Sequence, residues 1–207
     1  MNRPLLITDC DEVLLHMLSH FSEWLEEAHG LSFVMAEPNF GSAIRDVSSG
    51  EAVAAEAVWP LLEGFFDTEM HRQNIVPGAA EALERIGESA DIVILTNVGD
   101  RYEASRIEQL ERFELRHRVL CNRGPKGPPV AELIAEMRPS AAVFVDDLAQ
   151  HHSSVAREAP EVWRLHMIAE PRVARLVPPA PDAHARIDCW DEAASWIVER
   201  FEKGPAT

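Results

Sequence analysis

The sequence predicts an α/β fold built around a parallel sheet. Three observations support this: short apolar runs recur along the chain, apolar residues at helical spacing lie between them, and polar residues follow several runs directly. The runs are Leu5 to Thr8, Ile92 to Thr96, Val119 to Cys121, Ala141 to Val145 and Val162 to His166. The helical sets are Ala82, Leu83 and Ile86, then Ile107, Leu110 and Phe113, then Val130, Leu133, Ile134 and Met137. Because runs and helical sets alternate, each run is expected to be a strand of one parallel sheet.

Residues 14–75 interrupt the alternation, because they carry helical patterns and no convincing strand. Their apolar residues at helical spacing are Met17, Phe21, Leu25 and Ala28, then Leu61, Leu62, Phe65 and Phe66. Gly30 is expected to end the first helix and Pro60 to begin the second. The large aromatic residues, Trp59 among them, are expected in a core. We therefore predict a helical domain of residues 14–75, inserted into an α/β domain of residues 1–13 and 76–207.

The composition indicates a globular protein and excludes several partners. The 207 residues are 46% hydrophobic, which is enough for one sizeable core. The net charge of -16 would repel a polyphosphate backbone, so nucleic acid is not expected as a partner. The apolar run before Asp9 is too short for a signal peptide or a membrane span, so we expect a cytoplasmic monomer or homodimer without a membrane partner. The three cysteines are expected to be small buried residues.

An Asp-Cys-Asp triplet, Asp9 to Asp11, directly follows the first apolar run. If the strand continues through it, alternation places Asp9 and Asp11 on one side and Cys10 on the other. Two carboxylates in one small space repel each other unless a cation or a shared proton relieves them, and oxygen-rich sites suit Mg²⁺. The ordinary alternative is a polar strand end or a helix cap. The triplet is thus a candidate catalytic and metal-binding site.

Two further strand ends are expected to deliver polar groups to the same place. Thr96 and Asn97 follow the second run, and Asp146 and Asp147 follow the fourth. In open parallel sheets, ligands bind beyond the carboxyl ends of the strands. Lys126 lies just before a predicted helix and could bring a positive charge there. Taken alone, Thr96 is also explained as a strand-ending threonine, and Lys126 as a solvated loop lysine.

The features Asp9-Cys10-Asp11-Glu12-Val13, Thr96-Asn97, Lys126 and Asp146-Asp147, in this order, resemble the motifs of the haloacid dehalogenase superfamily. The resemblance covers nearly the whole chain, since the helical insertion is similar to a C1-type cap and Val76-Pro77-Gly78 resembles the return into the main domain. It implies a Rossmann-like parallel core with an inserted helical cap. It also implies a phosphatase that acts on a small phosphorylated metabolite. Dehalogenating members lack the second aspartate, so Asp11 favours phosphoryl chemistry.

The resemblance implies a role for each residue. Asp9 would attack phosphorus and form an aspartyl-phosphate, and Asp11 would act as general acid and then general base. Thr96 would donate its hydroxyl to a phosphoryl oxygen, with the backbone N–H of Asn97 as a second donor. Lys126 would place its ammonium group between the nucleophile and the phosphate.

The implied cofactor is Mg²⁺. The resemblance assigns its ligands to Asp9, the backbone carbonyl of Asp11 and one aspartate of the Asp146-Asp147 pair. It favours Asp147 as the direct ligand, with Asp146 beside it as a hydrogen-bond acceptor or alternate ligand. These carboxylate and carbonyl oxygens are ligands that Mg²⁺ prefers.

The chain departs from the family at two positions. His151 stands where many members have another Asp or Asn, and it is either an orienting group or an exposed residue at a helix start. Glu12 stands where many have Gly. His16 and His20, four residues apart, could contact substrate from the inserted domain. Two other functions stay open. One is a phosphomutase. The other is a non-catalytic binding or regulatory protein, and the only feature that favours it is His151 in place of an acidic residue.

Overall fold

The computed structural model describes residues 2–35 and 40–206. The strands are β1 Leu5–Thr8, β2 Leu31–Phe33, β3 Ile44–Asp46, β4 Asp91–Thr96, β5 Arg118–Cys121, β6 Ala142–Asp146, β7 Trp163–His166 and β8 Ala185–Arg186. Six of these form one parallel sheet in the order β5-β4-β1-β6-β7-β8. In the register of the central strand, Leu5 is paired with Asp91 on one side and with Ala142 on the other. The predicted α/β class with a parallel sheet is confirmed.

The helices are α1 Leu18–His29, α2 Ala55–Thr68, α3 Ala79–Gly87, α4 Glu103–Glu111, α5 Gly127–Met137, α6 Ala149–Glu158, α7 Pro171–Ala174 and α8 Trp190–Lys203. Helices α3 and α8 pack on one face of the sheet and α5 and α6 on the other, where they meet alternate residues of β1 that point to opposite sides. Leu6 packs in a buried cluster that includes residues of α3 and α8. Leu5 and Ile7 pack in a second cluster with residues of α5 and α6. No helix in the described part of the chain is long and apolar enough to cross a membrane.

A third apolar cluster joins α1, α2 and β3. It contains Phe21, Trp24, Leu25, Ile44, Val58, Phe65, Phe66 and Met70, with Val98 and Tyr102 from the segment after β4. Trp59 is not part of this core, since its side chain faces solvent and the residue is 67% exposed. The placement of most aromatic residues in a core is confirmed, and the prediction for Trp59 is wrong.

Residues 14–75 differ from the sequence prediction in two ways. They contain an antiparallel pair, β2 and β3, each of only three residues, which is too short to produce a readable alternation. Pro60 lies inside α2 rather than at its start, because the helix already begins at Ala55. Pro60 is the sixth residue of α2, beyond the N–H groups that lack an intrahelical acceptor, so it removes one hydrogen bond from the helix. The end of α1 at Gly30, in a left-handed conformation, is confirmed.

Candidate active site

Three neighbouring strands end on the same side of the sheet, and their carboxyl ends carry predicted site residues. β4, β1 and β6 lie side by side, and they end at Thr96, Thr8 and Asp146. Asp9 therefore lies between the end of β4 and the end of β6. Its backbone N–H donates to the carbonyl of Val145 at 2.8 Å, which fixes the start of the loop after β1 against β6.

A buried lysine joins two of the predicted carboxylates. Lys126 Nζ lies 2.6 Å from Oδ1 of Asp9 and 2.7 Å from Oδ2 of Asp146, and its side chain is fully buried. Burial alone would lower the pKa of Lys126, but the two carboxylates, Asp146 and then Asp9, raise it above its ordinary value. The ammonium group is therefore held in its charged form between the two acids.

The position of Lys126 depends on a close approach of two helices. Lys126 immediately precedes α5, and Gly127 N–H donates to the hydroxyl of Ser154 on α6 at 3.0 Å. A Cβ atom at residue 127 would lie 2.4 Å from the backbone oxygen of Ser154. Only glycine fits this contact, so the α5–α6 packing sets the depth at which the lysine enters the site.

Asp9, Asp146 and Asp147 form a compact acidic group. One carboxylate oxygen from each lies within 4.8 Å of the others, the single such group that the described ranges contain. Asp146 already uses both oxygens, one with Lys126 and the other as acceptor from the backbone N–H of Leu148 at 2.9 Å. Asp147 is the partly exposed member. Asp147 is thus the more accessible of the two, and its assignment as the direct metal ligand stays a prediction.

The pKa values of Asp9 and Asp147 indicate that the site contains more negative charge than Lys126 can balance. Burial, with the nearby carboxylates of Asp146 and Asp11, raises the pKa of Asp9 to about 7 against the opposing effect of Lys126. Burial, then the charges of Asp146 and Asp9, raises the pKa of Asp147 well above its usual range. A single ammonium group does not balance this cluster. An all-oxygen donor set with excess negative charge fits Mg²⁺, which would be held by Asp9 and Asp147.

Thr96 and Asn97 close the other side of the site. Thr96 is fully buried, and its hydroxyl has no hydrogen-bond partner among residues 2–35 and 40–206. A buried unpaired hydroxyl costs free energy unless a ligand satisfies it. The Asn97 side chain donates to the carbonyl of Gly124 at 2.9 Å and accepts from Asn122 at 2.8 Å, so it also fixes the loop that leads to Lys126.

The Asp-Cys-Asp triplet is not a strand continuation. β1 ends at Thr8, and the N–H groups of Leu14 and Leu15 both donate to the carbonyl of Cys10, which folds the chain into a tight turn. The alternation assumed for the triplet is therefore wrong. Cys10 Sγ and the Asp11 carboxylate both contact Arg106, at 3.3 Å and 2.8 Å, so they share a partner instead of pointing apart.

Arg106 is a site residue that the sequence prediction missed. It lies on α4, fully buried, and with Gln109 and Leu110 it forms the inward face of that helix. The prediction assigned this face to Ile107, Leu110 and Phe113; it is confirmed for the buried Leu110 and wrong for Ile107, which is 37% exposed. A signal was present, because Arg106, Gln109, Leu110 and Phe113 follow helical spacing and place two polar residues on an otherwise apolar stripe.

His151 is buried rather than exposed at a helix start. Its Nε2 lies 3.3 Å from the side-chain amide of Asn97, so it contacts the site from the predicted position. Burial lowers its pKa, which favours the neutral ring. Two further histidines were missed: Nε2 of His152 lies 3.0 Å from the carbonyl of Asp146, and Nε2 of His166 lies 2.8 Å from that of Asp147. Together they hold the backbone of the acidic pair.

Glu12 has a structural role that the sequence did not reveal. Its carboxylate accepts from the backbone N–H groups of Met17 and Leu18, each at 2.7 Å, and from that of Glu170 at 3.1 Å. It thereby caps the start of α1 from a distance. Its φ of 59° lies in the left-handed region, which explains why glycine is suited to this position. Burial raises the pKa of Glu12 to about 7.

Other predicted residues lie outside this cluster. His16 and His20 are both partly buried, and His20 lies 3.4 Å from Glu23 of the same helix. Cys10 is buried as expected, but Cys121 is partly buried and Cys189 is exposed, so the prediction for the cysteines is confirmed only for Cys10.

Solved structures with the same architecture belong to haloacid dehalogenase-like proteins. A protein assigned as a haloacid dehalogenase-like hydrolase from Burkholderia xenovorans superposes with a TM-score of 0.66 at 14% identity, over 96% of this chain and 98% of that one. A protein assigned as a hydrolase of this type from Bacillus subtilis, bound to magnesium, gives a TM-score of 0.65 at 12% identity, over 95% of this chain and 99% of that one. A protein assigned as a phosphoglycolate phosphatase from Lactobacillus plantarum gives 0.62 at 16% identity, over 94% and 99%.

No protein-family model and no curated protein sequence matches the chain. Similarity at this level of identity establishes the fold. The chain has the fold of the haloacid dehalogenase-like hydrolases, so the resemblance predicted from the four motifs is confirmed at the level of architecture.

Proposed function

We propose that this protein is a Mg²⁺-dependent phosphatase of the haloacid dehalogenase superfamily that acts on a small phosphorylated metabolite. The observation that carries the proposal is the buried trio of Asp9, Lys126 and Asp146 at the carboxyl ends of adjacent strands. A lysine that contacts the Asp9 carboxylate at 2.6 Å neutralises part of the charge that would otherwise repel a phosphate. The unpaired hydroxyl of Thr96 adds a donor beside it.

The proposed reaction has two steps. Asp9 attacks phosphorus, the phosphorus–oxygen bond to the leaving group breaks, and Asp11 donates a proton to the departing oxygen. Asp11 then takes a proton from water, whose oxygen attacks phosphorus and releases inorganic phosphate from Asp9. Asp9 and Asp11 thus return to their starting states, and the net reaction is hydrolysis of one phosphomonoester.

The binding groups are assigned by position. Thr96, the backbone N–H of Asn97 and Lys126 bind the phosphoryl oxygens. Asp9, the backbone carbonyl of Asp11 and Asp147 hold Mg²⁺, while Asp146 orients Lys126. Mg²⁺ bound there supplies positive charge that reduces the repulsion between the phosphate and Asp9.

Residues 14–75 act as a cap in this proposal. Their own apolar cluster gives them a core, and it meets the main domain at Val98 and Tyr102, just beyond the strand end that carries Thr96. A cap in this position limits the size of the substrate and excludes bulk water. His16, which lies just before α1, and His20, in the first turn of α1, are candidates for contact with the substrate.

The test is release of inorganic phosphate from a panel of phosphorylated metabolites, with Mg²⁺ and with a chelator. Asp9→Asn is expected to reduce kcat by on the order of 10⁴-fold, because it removes the nucleophile. Asp91→Asn is the matched control, since Asp91 is exposed at the amino end of β4, opposite to the strand end that carries Thr96. Phosphate release by the Asp9→Asn variant at the native rate would contradict the assignment of Asp9 as the nucleophile. Transfer of the phosphoryl group back to the substrate without net release favours a mutase.

A further inference from the structure

Arg106 is the unexplained charged residue of the site. Its side chain is fully buried on α4, and Nη2 lies 3.0 Å and 2.8 Å from the two oxygens of Asp11. Nη1 lies 3.0 Å from Gln109 Oε1 and 3.4 Å from Gln73 Oε1. A guanidinium group taken out of water is costly unless its charge is paired and its N–H groups are bonded. The charge of Arg106 is paired with Asp11, whereas its Nε has no hydrogen-bond partner in the described part of the chain.

The Asp11 carboxylate is held from two directions. Gln73 Nε2 donates to Oδ1 at 2.7 Å, so this oxygen accepts from both Gln73 and Arg106. Oδ2 accepts from Arg106 at 2.8 Å. Since each carboxylate oxygen has two acceptor positions, these contacts occupy Oδ1 and leave one position on Oδ2. The side chain of Asp11 is 15% exposed, so the carboxylate is not sealed from solvent.

We propose that Arg106 is a positioning residue that orients Asp11 so that Oδ2 exchanges the proton with the leaving group and with water. This inference rests on the proposed function, in which Asp11 is the general acid and base. Gln73 supports the same orientation from the segment that leads out of residues 14–75. Two donors from different elements fix the torsion angles of the short Asp11 side chain. A misplaced acid loses its advantage even when it keeps its chemistry.

A purely structural role for Arg106 is the competing explanation. Gln109 also donates to the carbonyl of Met70, and Gln73 contacts Gln109, so this cluster ties α4 to residues 70–73. Loss of such an anchor would slow every substrate alike. Loss of proton transfer would slow only substrates whose leaving group needs a proton. The dependence on the leaving group therefore separates the two roles.

The experiment compares kcat/KM for two phosphomonoesters in the native protein and in Arg106→Met. One substrate is an alkyl phosphate such as glycerol 2-phosphate, and the other is 2,4-dinitrophenyl phosphate, whose leaving group departs without protonation. We expect Arg106→Met to lower kcat/KM for the alkyl ester by about 10²-fold, and for the dinitrophenyl ester by less than about 10-fold. Arg112→Met is the control, because Arg112 is an exposed residue just after the same helix, paired with Glu108.

Two further variants keep the proposal falsifiable if Arg106→Met does not fold. Arg106→Lys retains the charge but loses Nη1, which holds the guanidinium group against Gln109 and Gln73, and Gln73→Leu removes the second donor to Asp11. Both are expected to show the same selective loss for the alkyl ester, at smaller size. Equal losses for both esters in the folded variants overturn the positioning role. If the native protein does not hydrolyse the alkyl ester, a substrate from the metabolite panel replaces it, and no hydrolysis of the dinitrophenyl ester or of any panel compound removes the proposed function itself.

Discussion

Lys126 carries much of the charge balance of the site. The chain has only two lysines, and its other basic residues are arginines. Lys203 is about half exposed and pairs with Glu199 on the last helix, whereas Lys126 is fully buried between two carboxylates. A compact ammonium group with three donors contacts both acids, and in the proposed reaction its third donor would bind the phosphate. A lysine at position 126 is therefore suited to neutralising the two carboxylates.

Replacing Lys126 is expected to damage both activity and stability. Lys126→Met leaves Asp9 and Asp146 buried without their cation, which should cost about 3–5 kcal/mol of unfolding free energy. In the proposed reaction it also removes a donor to the phosphate and should lower kcat by at least about 10²-fold. Urea unfolding and phosphate release measure the two effects, with Lys203→Met as the control. Activity within a few-fold of the native protein would contradict the role given to Lys126.

At the scale of elements, the side chain of Glu12 helps to hold the first connection between the two predicted domains. The residue that precedes α1, Met17, cannot cap the helix with its own side chain. Glu12 supplies that function from five residues earlier and also binds the backbone of Glu170. Glu12 makes these contacts with its backbone in the left-handed conformation, which costs a non-glycine residue about 1 kcal/mol or more.

Two substitutions at Glu12 separate the cap from the backbone strain. Glu12→Ala should destabilise the protein by about 1–2 kcal/mol, because it removes the acceptor for the first N–H groups of α1. Glu12→Gly loses the same contacts but relieves the strain, so it should be about 1 kcal/mol more stable than the alanine variant. Urea unfolding measures both, with the exposed Glu26→Ala as control. An alanine variant as stable as the glycine variant would contradict the strain argument.

For the whole molecule, the titration of the site couples metal binding to stability. The folded-state pKa of Asp9, about 7, is above its unfolded value, and that of Asp147 is also raised. Between about pH 4 and pH 7 these groups bind more protons in the folded state, so they make stability fall as pH rises. Buried histidines act in the opposite direction, since burial lowers the pKa of His152 to about 4. The total pH dependence therefore mixes two signs.

The stabilisation by Mg²⁺ isolates the carboxylates. Mg²⁺ competes with protons for Asp9 and Asp147, so the rise in Tm between chelator and Mg²⁺ should be larger at pH 8 than at pH 5.5. At this chain length each kcal/mol raises Tm by about 2–4 °C. Thermal unfolding at both pH values measures it, and Asp147→Asn should lose most of the increment. An equal increment at both pH values would place the ion elsewhere.

The sequence determined the architecture and the candidates for the site. Local periodicity marked five of the six strands of the sheet and most of the helices, because alternation and helical spacing are properties of neighbouring residues. The rule that parallel strands end at one edge then placed Asp9, Thr96 and Asp146 together without any contact information. β8, with two residues, and the β2–β3 pair were too short for their periodicity to be read.

The tertiary structure decided the partners of those residues. Arg106 and Asp11 are 95 positions apart, and Lys126 is 20 positions from Asp146. Such pairs depend on the depth at which helices pack, as the contact of Gly127 with Ser154 sets the reach of Lys126. The same holds for Glu12, whose carboxylate finds α1 only because the chain turns sharply after β1. Local pattern fixes which groups arrive at the site, and packing over long sequence separations fixes which of them touch.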